Sequence, residues 1–399
     1  MTRRPRRAVH QVLATLGYGD AIGHEVLGIQ RVLRGAGYSS DVFVETVDSR
    51  LELLTRDYRE LIDASHADNL LLHPFSIGSK ASRIAYALPD RMALIYHNIT
   101  PPEYFAGLHR TLALQCFRGR RELHAYAGRC EIALGDSEFN RQDLESLGFS
   151  RTAVLPVVPD FDHLDVPADD FVASQFDDDL TNVLFVGRVI ANKRIDRLIR
   201  FFHAYQTLFN ARSRLIIVGV FSLFERYFAA LMDLVSRLDV SNVHFVGQVS
   251  DQELVAYYEL ADLFLCASEH EGFCVPLVEA FYKQVPVLAY AATAVPSTMD
   301  GAGVLFDVLD PMYVAALMDA ILSDPALQDR IVDEQLAAVD RLRAQDFAGT
   351  LLAFVDQIVS RPRAPHPAVA FDFWQQFDAA QELEELRLYR PSIYKALPV

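Results

Sequence analysis

The chain has 399 residues, of which 51% are hydrophobic and 23% are charged. This length and composition predict an ordinary globular protein built from two domains rather than one. The formal net charge of −16 argues against nucleic acid as the main partner, because phosphate binding needs clustered lysine and arginine.

Cysteine usage and hydropathy indicate the compartment. The cysteines Cys116, Cys130, Cys266 and Cys274 form no CxxC pair and have no zinc-like spacing, so we expect reduced thiols in a cytoplasmic protein. No run approaches the roughly 20 apolar residues of a membrane span, and no signal peptide follows the basic start. The arginines at 2–7 would allow peripheral contact with the inner face of a membrane.

The first part of the chain alternates short apolar runs with helical patterns. Strands are predicted at 9–16, 41–45, 70–73, 91–96 and 132–134. A helix is predicted over 23–34, and Ser137 is expected to cap another. Strands that alternate with helices indicate βαβ units and a parallel sheet.

The alternation breaks at 156–179, which holds three prolines and eight aspartates and is predicted to connect two domains. Further strands are predicted at 182–186, 215–218, 243–246, 263–266 and 285–289, with a capping box at 250–253. The chain is therefore predicted to hold one domain at 1–165, a second at 166–360 and a helical tail at 361–399 that packs back on the domains.

Two basic residues follow the strand predicted at 182–186. Gly187 ends this strand, and Arg188 and Lys193 come after it. Ligands of open parallel sheets bind beyond the carboxyl ends of the strands, so both cations are expected to face a ligand crevice. Fixed cations there would stabilise the charge that develops on a diphosphate leaving group. The alternative is that both are solvated residues of a surface loop.

A second motif joins the strand predicted at 263–266 to a helix that opens near Val275. Gly272 lets the backbone approach a ligand, and N–H groups at the helix start can bind phosphate or sugar oxygens. Glu271 lies in the loop and Glu279 about one turn into the helix, so each can accept hydrogen bonds from different hydroxyl groups of one long ligand. Both could instead be surface residues, but Glu279 stands among apolar residues, where a carboxylate needs a partner.

These motifs resemble those of the retaining glycosyltransferases of family 4. The resemblance lies in Gly187-Arg188 followed by Lys193, and in Ser-Glu-His-Glu-Gly-Phe-Cys-Val-Pro-Leu-Val-Glu-Ala at 268–280. It is strong over 181–310, and the segments 96–101 and 136–140 are also similar to family members. It implies an α/β protein of the GT-B fold, with two Rossmann-like, doubly wound domains that face each other across a cleft holding the active site. By the same resemblance, the domain at 1–165 would bind the acceptor and the domain at 166–360 the nucleotide sugar.

The resemblance also implies roles for individual residues. Arg188 and Lys193 would bind the donor diphosphate. Glu271 would bind the hydroxyls of the transferred sugar, and Glu279 would bind the ribose hydroxyls. The remaining donor-site residues would line the sugar or phosphate, and they are Gly187, Gly272, Phe273 and Cys274. His97 matches a histidine that lies near the sugar in relatives. Ser297 stands where the family often carries glutamate, so no specific role is assigned to it.

A glycine-rich segment at 17–23 follows the first predicted strand. Its residues Gly19, Asp20 and Gly23 match the loop that family members close over donor or acceptor. With Glu45 after the second strand, the same spacing outlines a dinucleotide site, so an NAD(P)-dependent oxidoreductase is one alternative. A non-catalytic protein of the same fold that binds a sugar nucleotide or glycan is another, and a tight turn without a ligand is a third interpretation of the segment.

The expected reaction is transfer of a sugar from a nucleoside diphosphate sugar to a hydroxyl of a glycan or lipid-linked glycan, with retention, in bacterial surface polysaccharide biosynthesis. No pair of carboxylates suggests a double displacement, so we expect a front-face reaction in which the leaving phosphate helps remove the acceptor proton. Arg188 and Lys193 would replace a metal ion, so no metal and no cofactor are expected. The nucleotide base, the sugar, the acceptor and the oligomeric state are not readable from the sequence.

Overall fold

The computed structural model describes residues 7–17, 19, 21–157, 161–176, 178–222, 224–363, 365, 387–388, 391 and 395. The chain divides into a first unit of residues 1–159 with 345–399 and a second unit of residues 160–344. Residues 345–360 were expected in the second domain, whereas the structure joins them to the first unit. The predicted helical tail at 361–399 lies outside the described residues, apart from the few positions given above.

The first unit is built on a parallel sheet of seven strands in the order β3-β2-β1-β4-β5-β6-β7. The strands are β1 Val9–Leu16, β2 Val42–Val47, β3 Arg56–Asp57, β4 Leu70–Phe75, β5 Arg91–Tyr96, β6 Ile132–Gly135 and β7 Thr152–Val154. Every residue of β4 and β5 is buried, as expected for central parallel strands covered on both faces. The strands predicted at 9–16 and 91–96 are confirmed with the same ends.

Helices connect these strands. They are α1 Ala21–Gly35, α2 Leu61–Ala64, α3 Lys80–Ala87, α4 Arg110–Tyr126 and α5 Glu138–Ser146. One face of α1 is buried through Val26, Ile29 and Leu33, at the spacing of an amphipathic helix. Ser137 caps α5 as predicted, because its side chain accepts a hydrogen bond from the backbone N–H of Asn140.

The second unit is built on a parallel sheet of six strands in the order β10-β9-β8-β11-β12-β13. The strands are β8 Thr181–Val186, β9 Ser213–Val218, β10 Val243–Gly247, β11 Leu263–Cys266, β12 Val287–Tyr290 and β13 Val304–Phe306. The strand order reverses between β8 and β11, since β9 and β10 lie on one side of this pair and β12 and β13 on the other. Such a reversal opens a ligand crevice at the carboxyl ends of the two strands.

The helices of the second unit are α6 Asp170–Phe176, α7 Ile195–Leu208, α8 Glu225–Leu238, α9 Asp251–Glu259, α10 Val275–Tyr282, α11 Val295–Met299, α12 Pro311–Leu322 and α13 Pro325–Arg343. The predicted capping box at the start of α9 is confirmed, since Ser250 and Glu253 satisfy each other's backbone N–H groups. The two parallel sheets with their helices confirm the predicted α/β fold class.

The segment 156–179, predicted only as a connection, contributes to the second unit. It contains α6, and its apolar residues Phe161, Leu164, Val172 and Phe176 are buried in the core of that unit. The aspartates of the segment hid this pattern, because they separate the apolar residues. The last described helix, α14 Phe347–Val359, returns to the first unit, where Leu351, Val355 and Ile358 pack in one cluster with residues of β1 and α1.

Candidate functional site

The loops that follow β8 and β11 are bound to each other beside the strand-order reversal. The backbone N–H of Glu269 donates to the carbonyl oxygen of Asn192 at 2.9 Å, and the Asn192 side chain donates to the carbonyl oxygen of His270 at 3.0 Å. Asn192 is buried, so its amide fixes the two loops in register. Because β8 and β11 are neighbours, the motif that begins at Gly187 and the motif at 268–280 lie next to each other.

Lys193 and Glu271 form an ion pair across these loops. Their atoms Nζ and Oε1 lie 2.5 Å apart, and the side chains are 15% and 7% exposed. Burial alone would lower the pKa of Lys193, but the attraction of the Glu271 carboxylate outweighs it and the pKa is raised. The backbone N–H of Glu271 is held by Thr293 Oγ1 at 2.9 Å. The structure thus brings together two of the predicted residues, with the ammonium charged at neutral pH.

Gly187 and Arg188 stand at the end of β8. Gly187 has a φ of 152°, and a Cβ on the adjacent Gly219 would lie 2.0 Å from the Gly187 carbonyl oxygen. The two backbones therefore touch at a point where no side chain fits. The Arg188 side chain is exposed, and its guanidinium has no partner in the described part of the chain, so it is available to a ligand.

The start of α10 follows Gly272 and Phe273. Cys274 precedes the helix in a left-handed conformation with a φ of 78°, and Thr298 Oγ1 donates to the carbonyl oxygen of Phe273 at 2.5 Å. The thiols of Cys266 and Cys274 and a carboxylate oxygen of Glu271 lie within 4.8 Å of one another. The hydrogen bond between the thiols lowers the pKa of Cys266, and together with burial it raises the pKa of Cys274.

Glu279 lies in α10 and is 8% exposed. The hydroxyl of Tyr258 donates to its Oε2 at 2.9 Å, and Nε2 of His163 lies 3.2 Å from its Oε1. Burial and the nearby carboxylate raise the pKa of Tyr258 well above its ordinary value, so the phenol stays a donor. The partner that a carboxylate needs among apolar residues is therefore present, and each oxygen still has capacity for a further hydrogen bond.

His97 follows β5 in the first unit, together with two carboxylates. Its Nδ1 lies 3.0 Å from Asp136 Oδ2 and 3.6 Å from Glu25 Oε2, and the three side chains are at most 6% exposed. Burial raises the pKa of Glu25, the His97 ring opposes this rise, and the Asp136 charge adds to it. Sequence reasoning singled out His97 but neither carboxylate.

The glycine-rich segment lies between β1 and α1. Gly19 forms a turn with a φ of 74°, Gly23 is buried inside α1, and Asp20 lies outside the described residues. Glu45 is engaged elsewhere, since its Oε2 accepts the backbone N–H groups of Lys80 at 2.8 Å and Ala81 at 3.2 Å at the start of α3. This arrangement does not favour a dinucleotide ribose on Glu45.

Other site residues carried little or no sequence signal. Asn192 and Thr293 act through backbone hydrogen bonds, and no spacing rule identifies them. His163 comes from the stretch that was predicted as a connection. Ser297, to which no role was assigned, donates to the carbonyl oxygen of Ala294 at 2.7 Å at the start of α11.

The structure defines an α/β protein whose second sheet reverses its strand order beside the Lys193–Glu271 pair, and comparison with known proteins indicates its class. Residues 168–336 match the family model described as glycosyl transferases group 1. The matched residues lie within the second unit, and this match confirms the resemblance predicted from the sequence.

The sequence relatives include two mannosyltransferases. The chain is 27% identical over 158 residues to serotype-specific mannosyltransferase WbdA of Escherichia coli, a match that covers 39% of this chain and 19% of that protein. It is 29% identical over 136 residues to MMP alpha-(1->4)-mannosyltransferase of Mycolicibacterium hassiacum, which covers 33% of each chain. The chain thus matches between about a fifth and a third of the length of these relatives.

Solved structures show the same fold. The structure of HepE of Anabaena in complex with UDP-glucose matches with a TM-score of 0.69 at 16% identity, covering 87% of this chain and 99% of that one. This likeness confirms the GT-B type of architecture. Of the helices that the structure describes, none combines the length and apolar character needed to cross a membrane.

Proposed function

We propose that this chain is a retaining glycosyltransferase that moves a sugar from a nucleoside diphosphate sugar to a hydroxyl of a glycan or lipid-linked glycan. The observation that carries the proposal is the Lys193–Glu271 pair, buried where the strand order of the matched domain reverses. This pair places a fixed cation and a hydroxyl-binding carboxylate side by side, as transfer of a sugar from a diphosphate requires.

The proposed donor site assigns one task to each group. Arg188 and Lys193 hold the diphosphate and stabilise the negative charge that grows as the glycosidic bond breaks. Glu271 accepts hydrogen bonds from the hydroxyls of the transferred sugar, and Glu279 accepts them from the ribose. The backbone from Gly272 to Cys274 lines the sugar or phosphate, where free N–H groups at the start of α10 favour anionic oxygens.

The proposed reaction takes place on the front face of the sugar. The leaving phosphate oxygen takes the acceptor proton as the new bond forms on the side that the diphosphate leaves, so the configuration is retained. No metal ion bridges the diphosphate in this scheme and the transfer needs no cofactor, because the two cations of the second unit do that work. Activity in buffer without added divalent ions would agree, whereas activity that appears only on addition of Mg²⁺ or Mn²⁺ would contradict this part.

The proposed sugar is mannose, because several of the related proteins are mannosyltransferases. The proposed setting is the assembly of a bacterial surface polysaccharide, since one relative is an O-antigen chain mannosyltransferase of Escherichia coli. GDP-mannose is therefore the first donor to try. Release of GDP that depends on added acceptor would distinguish an enzyme from a protein that only binds the donor.

The test of the proposed site is thermal unfolding of the full chain with UDP, GDP, ADP, dTDP, their common sugar conjugates, NAD and NADP. A ligand at about 100 times its dissociation constant stabilises by about 2.7 kcal/mol, which raises the midpoint by several degrees. A shift with one nucleoside diphosphate, lost in Lys193→Ala and Glu279→Ala but kept in the exposed-carboxylate control Glu259→Gln, supports the site. A shift with NAD or NADP alone would favour the oxidoreductase alternative and overturn the proposal.

A further inference from the structure

Two thiols meet behind the loop that carries Glu271. Cys266 is the last residue of β11, and Cys274 immediately precedes α10. Both cysteines are free, and their Sγ atoms and a carboxylate oxygen of Glu271 lie within 4.8 Å of one another. The carboxylate is already bound to Lys193 Nζ at 2.5 Å, so the two thiols are left to interact with each other. The fold thus places a pair of reduced cysteines at the two ends of the segment 267–273.

The two sulfurs differ in their readiness to ionise. The hydrogen bond from Cys274 lowers the pKa of Cys266 by more than burial raises it, and Ser268, whose Oγ lies 3.4 Å from the Cys266 sulfur, lowers it further. The same hydrogen bond and burial raise the pKa of Cys274 well above its ordinary value. The thiolate is the form of cysteine that reacts with oxidants, and a sensor cysteine often stands beside a second one that resolves it. Cys266 and Cys274 have these two properties.

The backbone at Cys274 also singles this residue out. Its φ of 78° lies in the left-handed region, which favours glycine because a Cβ is strained there. The chain nevertheless has a cysteine at this position, and its thiol is the one that lies beside Cys266. Cys274 is partly exposed whereas Cys266 is 1% exposed, so a reagent reaches the pair from the side of Cys274 and must be small.

We propose that Cys266 and Cys274 form a reversible disulfide in the presence of a hydroperoxide, and that this bond inactivates the donor site. The Cys266 sulfur donates an electron pair to one peroxide oxygen, the O–O bond breaks, and the other oxygen leaves as water with the thiol proton. The Cys274 sulfur then attacks the sulfenic acid formed on Cys266, the S–O bond breaks, and a second water leaves with the Cys274 proton. Two thiols are oxidised and one hydrogen peroxide is reduced to two waters.

The effect of this bond on the donor site rests on the proposed function. The sulfurs of a disulfide lie about 2.05 Å apart and the Cβ atoms about 3.5–4.5 Å apart, so the bond draws the start of α10 towards the end of β11. The backbone from Gly272 to Cys274, which is proposed to line the sugar or phosphate, moves with it. The oxidised chain should therefore bind the donor more weakly, and a reductant should restore binding.

The first test maps disulfides in the full chain after treatment with hydrogen peroxide and alkylation of the remaining thiols. Cleavage after Glu269 and Glu271 separates Cys266 from Cys274, so a disulfide between them appears as two linked peptides that dithiothreitol releases. Cys266→Ala should abolish the link. Cys116→Ser with Cys130→Ser is the matched control and should keep it, because burial raises the pKa of Cys130 to about 12 and leaves it an unreactive thiol.

The map decides whether the disulfide exists. A link between positions 266 and 274 that is lost in Cys266→Ala and kept in the control supports the proposal. Two free thiols after oxidation, or a link from either residue to Cys116 or Cys130, overturns it. If Cys266→Ala fails to fold, the map of the wild-type chain decides between the same outcomes.

The second test measures the nucleotide-induced rise of the unfolding midpoint before and after oxidation. We expect the rise of several degrees to disappear in the oxidised chain and to return with dithiothreitol. A rise that survives complete disulfide formation overturns the inactivation. If the reduced chain shows no rise with any nucleotide, the proposed function fails and the inactivation fails with it, whereas a mapped disulfide still stands.

Discussion

Replacing Lys193 by methionine should destabilise the second unit by about 3 kcal/mol at neutral pH. The substitution leaves the Glu271 carboxylate, 7% exposed, without the ammonium that lies 2.5 Å from it. Removing one partner of a buried ion pair costs about 3–5 kcal/mol, because the remaining charge stays buried and unpaired. We take the lower end of this range because Glu271 lies in a loop, where a small movement brings the carboxylate to water.

The assay is urea and thermal unfolding without nucleotide. A loss of about 3 kcal/mol should lower the unfolding midpoint by about 6–12 °C for a unit of this size. The pKa of Lys193 is raised, so its contribution is complete below the ordinary lysine pKa and is lost only as the pH rises through the raised value. The deficit of the variant should therefore be the same at pH 6 and pH 8.

Two variants control for the loss of a lysine as such. Lys283→Met removes the partner of Glu259, which lies 3.0 Å away but is 53% exposed, so this change should cost less than about 1 kcal/mol. Lys193→Met combined with Glu271→Gln should recover part of the loss, because no buried charge remains. A Lys193→Met variant as stable as the wild type would contradict this prediction, and so would an equal loss of stability in Lys283→Met.

Two further predictions concern the backbone at the strand ends and a buried histidine. Gly219→Ala should lower the free energy of unfolding by more than about 2 kcal/mol and abolish any nucleotide-induced shift of the unfolding midpoint, since the new Cβ would lie 2.0 Å from the Gly187 carbonyl oxygen. The control Gly28→Ala, in α1, places its Cβ in open space and should raise the free energy of unfolding by up to about 1 kcal/mol. Equal changes of the unfolding midpoint in Gly219→Ala and Gly28→Ala would contradict this prediction. Burial lowers the pKa of His73 from 6.5 to about 4, so its contribution is complete above pH 6.5 and is lost as the pH falls towards 4. His73→Asn should flatten the acid side of the stability curve by up to about 1.4 kcal/mol per pH unit, and an unchanged slope would contradict the assignment.

The sequence predicts the long buried strands well. The strands predicted at 9–16, 91–96 and 263–266 have the predicted ends, because a parallel strand covered on both faces is a continuous apolar run bounded by polar residues. The three-residue strands β7 and β13 were missed, since they are mostly half-buried or exposed and too short to show a period. The return of α14 to the first unit was also missed, because an apolar helix face does not reveal which sheet it covers.

The sequence predicts the second-unit residues of the candidate site better than their partners. Lys193 and Glu271 follow neighbouring strands, so the rule for parallel sheets was enough to bring their motifs together. Tyr258 and His163, which hold Glu279, come from a helix and a loop whose packing no local pattern specifies. Their contacts depend on tertiary structure alone.

Two buried helical glutamates show where sequence reasoning stops. Glu279 in α10 and Glu25 in α1 both stand among apolar residues, and the same argument predicts that each carboxylate has a partner. In the structure Glu279 is held by a phenol and an imidazole. Glu25 instead shares one imidazole with a second carboxylate, and its Oε1 has no hydrogen-bond partner among the residues that the structure describes. Sequence can identify a buried charge, but only the three-dimensional arrangement shows whether the chain itself satisfies it. This difference leaves Glu279 in the fixed position that its proposed role on the ribose hydroxyls requires, whereas burial without a full set of partners raises the pKa of Glu25 to about 8.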